Sequence, residues 1–124
     1  MAILIPLHKL KGTGGVLCHG TFDLFHIGHL RYLKAARRYG QLIVTLTEGE
    51  YIRNHGEGRP VFTDQERVEM IEALSIVSWV ALVPDETAIP AIKIIRPNVY
   101  CMGAETRREC NKVLEAEMAA VTRY

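Results

Sequence analysis

Two histidines, His26 and His29, close a ten-residue string that reads Gly20-Thr21-Phe22-Asp23-Leu24-Phe25-His26-Ile27-Gly28-His29. The string follows a short apolar run, Val16-Leu17-Cys18, and leads into a helix-like stretch, Leu30-Arg31-Tyr32-Leu33-Lys34-Ala35-Ala36. A strand, a small-residue turn and a helix start together make a place for phosphate. The turn brings backbone N–H groups close to an anion, and the helix N-terminus favours negative charge. Histidines three apart project their rings from one face of the first helical turn. Two imidazoles there can grip one phosphate group from the same side. Asp23 sits in the turn, where an aspartate stabilises a loop by accepting from backbone N–H groups.

The elements that must carry this string alternate between apolar runs and helical patterns. That is the βαβ signature of a mostly parallel sheet with helices on both faces, an α/β Rossmann-like three-layer domain. Strands are expected at Val16 to His19, Leu42 to Thr47, Trp79 to Val83 and Asn98 to Met102. Each is short and rich in β-branched or large apolar residues, as strands buried on both faces should be. Helices are expected at Ile27 to Tyr39, Asp64 to Ser75, Thr87 to Ile95 and Arg107 to Arg123. Thr63 and Glu66 form a capping box ahead of the second, while Gly40 closes the first and Pro97 the third. In the last, Cys110, Leu114, Met118 and Val121 make an apolar stripe for packing on the sheet. Gly12-Thr13-Gly14-Gly15 reads as a flexible lead-in, and Glu48 to Val61 as the one long loop.

A chain of 124 residues has the size of one ordinary domain and can bury a core. Fifteen basic residues against fourteen acidic ones leave a net charge of +1, which calls for neither nucleic acid nor an anionic membrane. The cations on the first helix, Arg31, Lys34, Arg37 and Arg38, read as a solvated outer face. No apolar run approaches the roughly 20 residues needed to span a bilayer. Ile3-Leu4-Ile5-Pro6-Leu7 lacks the basic flank and cleavage site of a signal peptide. Three cysteines, Cys18, Cys101 and Cys110, suit a reducing compartment better than a disulfide framework and lack the paired spacing of a zinc site. The expectation is a cytoplasmic protein.

The pattern G-x-F-D-x-x-H-x-G-H resembles the signature of the cytidylyltransferase-like nucleotidylyltransferases, with Gly20, Phe22, Asp23, His26, Gly28 and His29 all matching. His26-Ile27-Gly28-His29 is also similar to the HIGH signature of class I aminoacyl-tRNA synthetases. A chain of 124 residues leaves no room for a tRNA-reading domain, and no Lys-Met-Ser-Lys-Ser loop appears. The resemblance implies transfer of a nucleoside monophosphate from a nucleoside triphosphate, with Mg²⁺, onto a phosphorylated small molecule, releasing pyrophosphate. An acceptor phosphate is already anionic, so attack on the α-phosphorus needs no general base. Donors that hold the triphosphate and stabilise charge at the α-phosphorus should supply most of the acceleration. His26 and His29 are thus expected to be catalytic as donors, not as nucleophiles.

The resemblance further implies nucleotide-binding places for Gly20, Thr21, Phe22, Asp23, Gly28, Arg67 and Gly103. Phe22 reads equally as core, and Asp23 either holds the loop or meets the nucleotide or its magnesium. Gly58-Arg59-Pro60-Val61, Glu66-Arg67 and Trp79-Val80 look like the adenylyltransferase half of ADP-heptose synthases. There the arginine matching Arg67 contacts the triphosphate; the alternative is a surface residue paired with an acidic neighbour. Asn98 to Glu105 looks like the strand and glycine turn that flank the base or acceptor, and His55, Arg59 and Glu105 fall at acceptor-facing positions. The chain departs from heptose-type relatives at Met102, usually lysine, at Glu105, usually aspartate, at His55, usually lysine, and at Glu48, usually aspartate. Met102-Gly103 is closer to glycerol-3-phosphate cytidylyltransferases. The expected acceptor is a sugar phosphate such as heptose 1-phosphate, with ATP or CTP as donor. A cytidylyltransferase for a polyol or amino-alcohol phosphate and a nucleotide-binding module without turnover are the alternatives. The family's closing strand and Ser/Thr-rich phosphate motif do not occur before Tyr124. The expectation is therefore a single domain over 1–124 with an open sheet edge beside Asn98 to Met102, which favours a homodimer.

Overall fold

Leu42–Thr47 reads Leu-Ile-Val-Thr-Leu-Thr, and all six residues are buried, as a strand covered on both faces must be. In the computed structural model, which describes residues 3–52 and 60–102, this strand lies at the centre of a parallel sheet. The strands are β1 (Ile3–Leu4), β2 (Val16–Gly20), β3 (Leu42–Thr47), β4 (Val77–Val83) and β5 (Val99–Cys101). Their spatial order is β1-β4-β3-β2-β5, and every pairing is parallel. Helix α1 (Ile27–Arg37) joins β2 to β3, α2 (Asp64–Glu72) lies between β3 and β4, and α3 (Ile89–Ile95) joins β4 to β5.

The two core clusters show how the chain winds. Leu33 and Ala36 of α1 and Val68 and Ile71 of α2 pack with Val16, Cys18, Val44 and Val80 on one face. Ala91, Ile92 and Ile95 of α3 pack with Leu17, Ile43, Ala81 and Val83 on the other, together with Leu10 from a 3-10 turn over Leu7–Leu10. Alternate residues of each strand thus feed opposite layers, as the period of two requires. The chain moves from β2 outward to β4 with helices on one face, then returns past β2 to β5 with its helix on the other. Such a reversal opens a crevice beyond the carboxyl ends of the two strands that flank it, here β2 and β5.

The expected strands and helices over the described residues are present, with shifted ends. The third helix begins at Ile89 rather than Thr87, with Pro90 in its first turn, where a missing N–H costs nothing. The fourth strand starts two residues early, at Val77. Two features depart from expectation. Ile3–Leu4 is a strand, parallel to β4, with Ile3 opposite Trp79. The glycine lead-in is a bonded turn: Gly12 N–H donates to Ile94 O at 2.8 Å, Gly14 N–H to Ile95 O at 3.1 Å, and Gly15 N–H to Asn98 Oδ1 at 2.8 Å. Gly15 has φ +86, and a Cβ there would meet Gln41 O at 2.9 Å, so the position needs glycine. The expected helix from Arg107 to Arg123 lies outside the described residues.

The Thr63 capping box is formed. Glu66 N–H donates to Thr63 Oγ1 at 3.1 Å and Thr63 N–H to Glu66 Oε1 at 3.0 Å. Thr63→Ala should cost about 1 kcal/mol. A lower urea midpoint at unchanged slope is the expected result, and an unchanged midpoint would mean the cap contributes nothing.

Candidate active site

The ten-residue string leaves the carboxyl end of β2 and enters α1, so it stands at the mouth of the β2/β5 crevice. His26 is the N-cap of α1 and His29 its third residue. The two side chains cap the helix reciprocally. Gly28 N–H donates to His26 Nδ1 at 3.0 Å, and His26 N–H donates to His29 Nδ1 at 3.1 Å. A ring nitrogen that accepts carries no proton, so each neutral imidazole holds its proton on Nε2. Backbone capping thus makes both histidines Nε2–H donors at the positive end of the helix. The rings stack with centroids 3.9 Å apart and 28° between planes. Gly28 makes that stack possible, since a Cβ there would lie 2.8 Å from His26 Cε1.

His29 is held from behind by aromatic rings. Phe22 meets it edge-on and Phe25 at a tilt, both with centroids 5.4 Å away. Phe22 is itself buried, with Tyr32 stacked on it, and takes φ +49, uncommon for a bulky residue. Gly20 makes room for it, because a Cβ would meet the Phe22 ring at 3.0 Å. Tyr32 donates its hydroxyl to Cys101 O and so ties α1 to the end of β5. Burial pushes the Tyr32 phenol well above its usual range, which keeps it a donor. Burial also pushes the Cys18 thiol up to about 12, so Cys18 is a packing residue and not a nucleophile.

Asp23 is 8% exposed, and its carboxylate accepts from Val61 N–H and Phe62 N–H, one on each oxygen, both at 2.8 Å. It fastens the β2–α1 turn to the chain ahead of α2, the loop-holding one of its two expected roles. Arg67 is 1% exposed, which overturns its reading as a surface residue. Its Nη1 donates to Thr21 O at 3.0 Å and Thr47 O at 2.8 Å, and its Nη2 to Asp64 Oδ1 at 2.6 Å. Asp64 Oδ1 also accepts from Gly49 N–H at 2.8 Å. His55, Arg59, Gly103 and Glu105 lie outside the described residues.

Four residues of this region carried no sequence flag. Asp64 read only as the first residue of a helix. His19 precedes the string directly, and Thr45 and Thr47 are the polar members of a buried strand. Their spacing of two puts them on one face, and that alternation was the readable signal. His19 Nε2 reaches Glu86 O at 3.2 Å and Thr47 Oγ1 at 3.1 Å, and its Nδ1 lies 2.8 Å from Thr45 Oγ1. A carbonyl only accepts, so Nε2 carries the proton and Nδ1 accepts from the Thr45 hydroxyl. The ring therefore ties the β4–α3 loop to β2 and β3.

At the opposite end of the sheet, Lys11, Gly12, Lys93, Ile94 and Arg96 line a hollow of about 390 Å³. Its cations sit at the carboxyl end of α3, where the helix dipole favours positive charge, and they lie far from the string. Among the described residues no three His, Cys, Asp or Glu side chains gather as a metal cage. Nor is any helix among them long and apolar enough to cross a membrane.

The capped histidine pair thus stands at the carboxyl edge of a parallel α/β sheet, beside its topological switch point. Residues 17–122 match the profile of the family described as cytidylyltransferase-like, and the chain belongs to that family. It is 33% identical over 107 residues to the bifunctional protein HldE of Pelobacter propionicus, covering 85% of this chain and 22% of that protein. It is 38% identical over 105 residues to HldE of Methylococcus capsulatus, covering 83% and 22%. The chain thus spans only about a fifth of the length of these relatives. A lipopolysaccharide core biosynthesis protein of Thermoplasma volcanium superposes with a TM-score of 0.63 at 26% identity, covering 80% of this chain and 87% of that one. Family and relatives together support a nucleotidyl-transfer type of reaction.

Burial holds the His19 imidazole down to about 4, so it stays neutral in the fold at neutral pH. The unfolded chain takes up that proton near pH 6.5, so it binds more protons than the native state between about pH 6.5 and 4. Stability present above pH 6.5 is therefore lost as pH falls through this window. The urea midpoint should drop between pH 7 and pH 5, and His19→Gln should flatten the drop while lowering the midpoint at pH 7. An equally steep drop in the variant would show that His19 is not its source.

Proposed function

We propose that this chain catalyses nucleotidyl transfer from a nucleoside triphosphate to a phosphorylated small molecule. An acceptor phosphate oxygen forms a bond to the α-phosphorus, the bond from that phosphorus to the oxygen bridging to the β-phosphate breaks, and pyrophosphate leaves. The observation that carries this reading is the reciprocal cap of His26 and His29. It presents two Nε2–H donors at a helix N-terminus, where charge on a transferring phosphoryl group needs donors already in place. In this reading His26 and His29 are the catalytic residues, and Gly20, Thr21, Phe22, Asp23 and Gly28 shape the triphosphate seat. Gly103 is proposed to bind the nucleotide, and His55, Arg59 and Glu105 to bind the acceptor. Magnesium takes oxygen ligands and is commonly bound through one or two carboxylates plus substrate phosphates, so no protein cage is required. Asp23 is the carboxylate within the string that would meet it.

The preferred acceptor is a sugar phosphate such as heptose 1-phosphate, with ATP or CTP as donor, on the strength of the HldE relatives. Met102 favours a second reading, a cytidylyltransferase for a polyol phosphate. A cytoplasmic homodimer is the setting proposed for either.

Pyrophosphate release across pairs of ATP or CTP with sugar and polyol phosphates tests the reaction and selects the acceptor. No release with any pair would leave a nucleotide-binding module. His26→Ala and His29→Ala should each lower turnover by about two to three orders of magnitude, the usual loss for one transition-state donor. A variant with near-normal turnover would make that histidine a capping residue alone.

A further inference from the structure

Thr47 ends β3 and is gripped from both faces of the sheet. Its carbonyl accepts from Arg67 on the α2 face, while its hydroxyl lies 3.1 Å from His19 Nε2 on the α3 face and 3.4 Å from Glu86 O. Arg67 spends its other bonds on Thr21 O and Asp64, and Asp64 holds Gly49 N–H. Four segments therefore meet in one polar chain around the buried guanidinium: the turn after β2, the end of β3 with the Gly49–Tyr51 turn, the start of α2, and the loop before α3. At 1% exposure the guanidinium presents almost no surface to a phosphate, and both protons of its Nη1 are committed to backbone carbonyls.

We propose that Arg67 acts as a positioning residue, not a triphosphate ligand: it locks the turn bearing Thr21 and Asp23 to the end of β3 through Thr47. A guanidinium suits this task, because its rigid fork can serve two carbonyls and a carboxylate at once. An ammonium in its place keeps the charge and loses the fork. Arg67→Lys therefore separates the two roles. A phosphate ligand is partly replaced by lysine, whereas a clamp between two carbonyls is not.

Amide hydrogen exchange on the nucleotide-free protein gives a readout that does not depend on the proposed reaction. In Arg67→Lys the amides of Gly49, Val61 and Phe62 and of residues 21–25 should exchange about tenfold faster or more, with the amides of β4 unchanged. Asp64→Asn keeps both carbonyl contacts and should speed exchange at Gly49 alone, so the clamp remains testable if Arg67→Lys does not fold. The kinetic arm rests on the transfer activity proposed above. There kcat should fall about 100-fold, the loss a displacement near 1 Å can cause. The Kd for ATP or CTP with Mg²⁺ should stay within about threefold, a split that removal of a ground-state phosphate contact does not give. Unchanged exchange in a folded Arg67→Lys, or kcat within about threefold of the parent, would overturn the proposal. A tenfold loss of nucleotide affinity with kcat retained would return Arg67 to the phosphates.

Discussion

A parallel sheet ends in a fringe of backbone carbonyls and strand-to-helix turns that no neighbouring strand satisfies. In this chain one guanidinium takes up that task at the ends of β2 and β3. Burying an ion costs several kcal/mol, and a bond from a charged donor contributes about 1.5–3 kcal/mol. Arg67 makes three such bonds, with Thr21, Thr47 and Asp64, and balance requires all of them. The cost of carrying a buried arginine is offset only when the loops around it are in place. The turn after β2 and the end of β3 are joined under that condition.

The histidines illustrate the same economy with neutral groups. A helix start leaves backbone N–H groups without partners, and serine, threonine or aspartate usually satisfies them. Here imidazoles do so through Nδ1, which fixes the tautomer and makes each opposite nitrogen a donor. Capping and donor placement are therefore one arrangement. Gly28 belongs to it although it contributes no side chain, because a methyl group there would collide with the His26 ring.

Much of this was legible in the residues. The βαβ alternation placed four of the five strands because those strands read as short, largely apolar runs. The string from Gly20 to His29 marked the candidate site, since motif chemistry is local in sequence. What stayed hidden was non-local. β1 is two residues long, and its pairing with Val77–Val83 leaves no local periodic trace. Arg67 read as a triphosphate contact, or else as a surface residue beside an acidic neighbour, because its partners at Thr21 and Thr47 are brought near only by the wound sheet. His19 was invisible for the same reason: a histidine beside two threonines is known as a bridge only once Glu86 arrives from another loop.

The placement of β1 bears on the order in which the chain can assemble. Ile3 and Leu4 find no partner until Trp79 and Val80 have been made and set beside β3. During synthesis Ile3 and Leu4 thus stay unpaired while β2, α1, β3 and α2 are made after them. Their docking closes a long loop, a slow and entropically costly contact. The apolar stretch from Ile3 to Ile5 is therefore open to any chaperone or neighbouring chain during synthesis, and it is a latch that waits on β4.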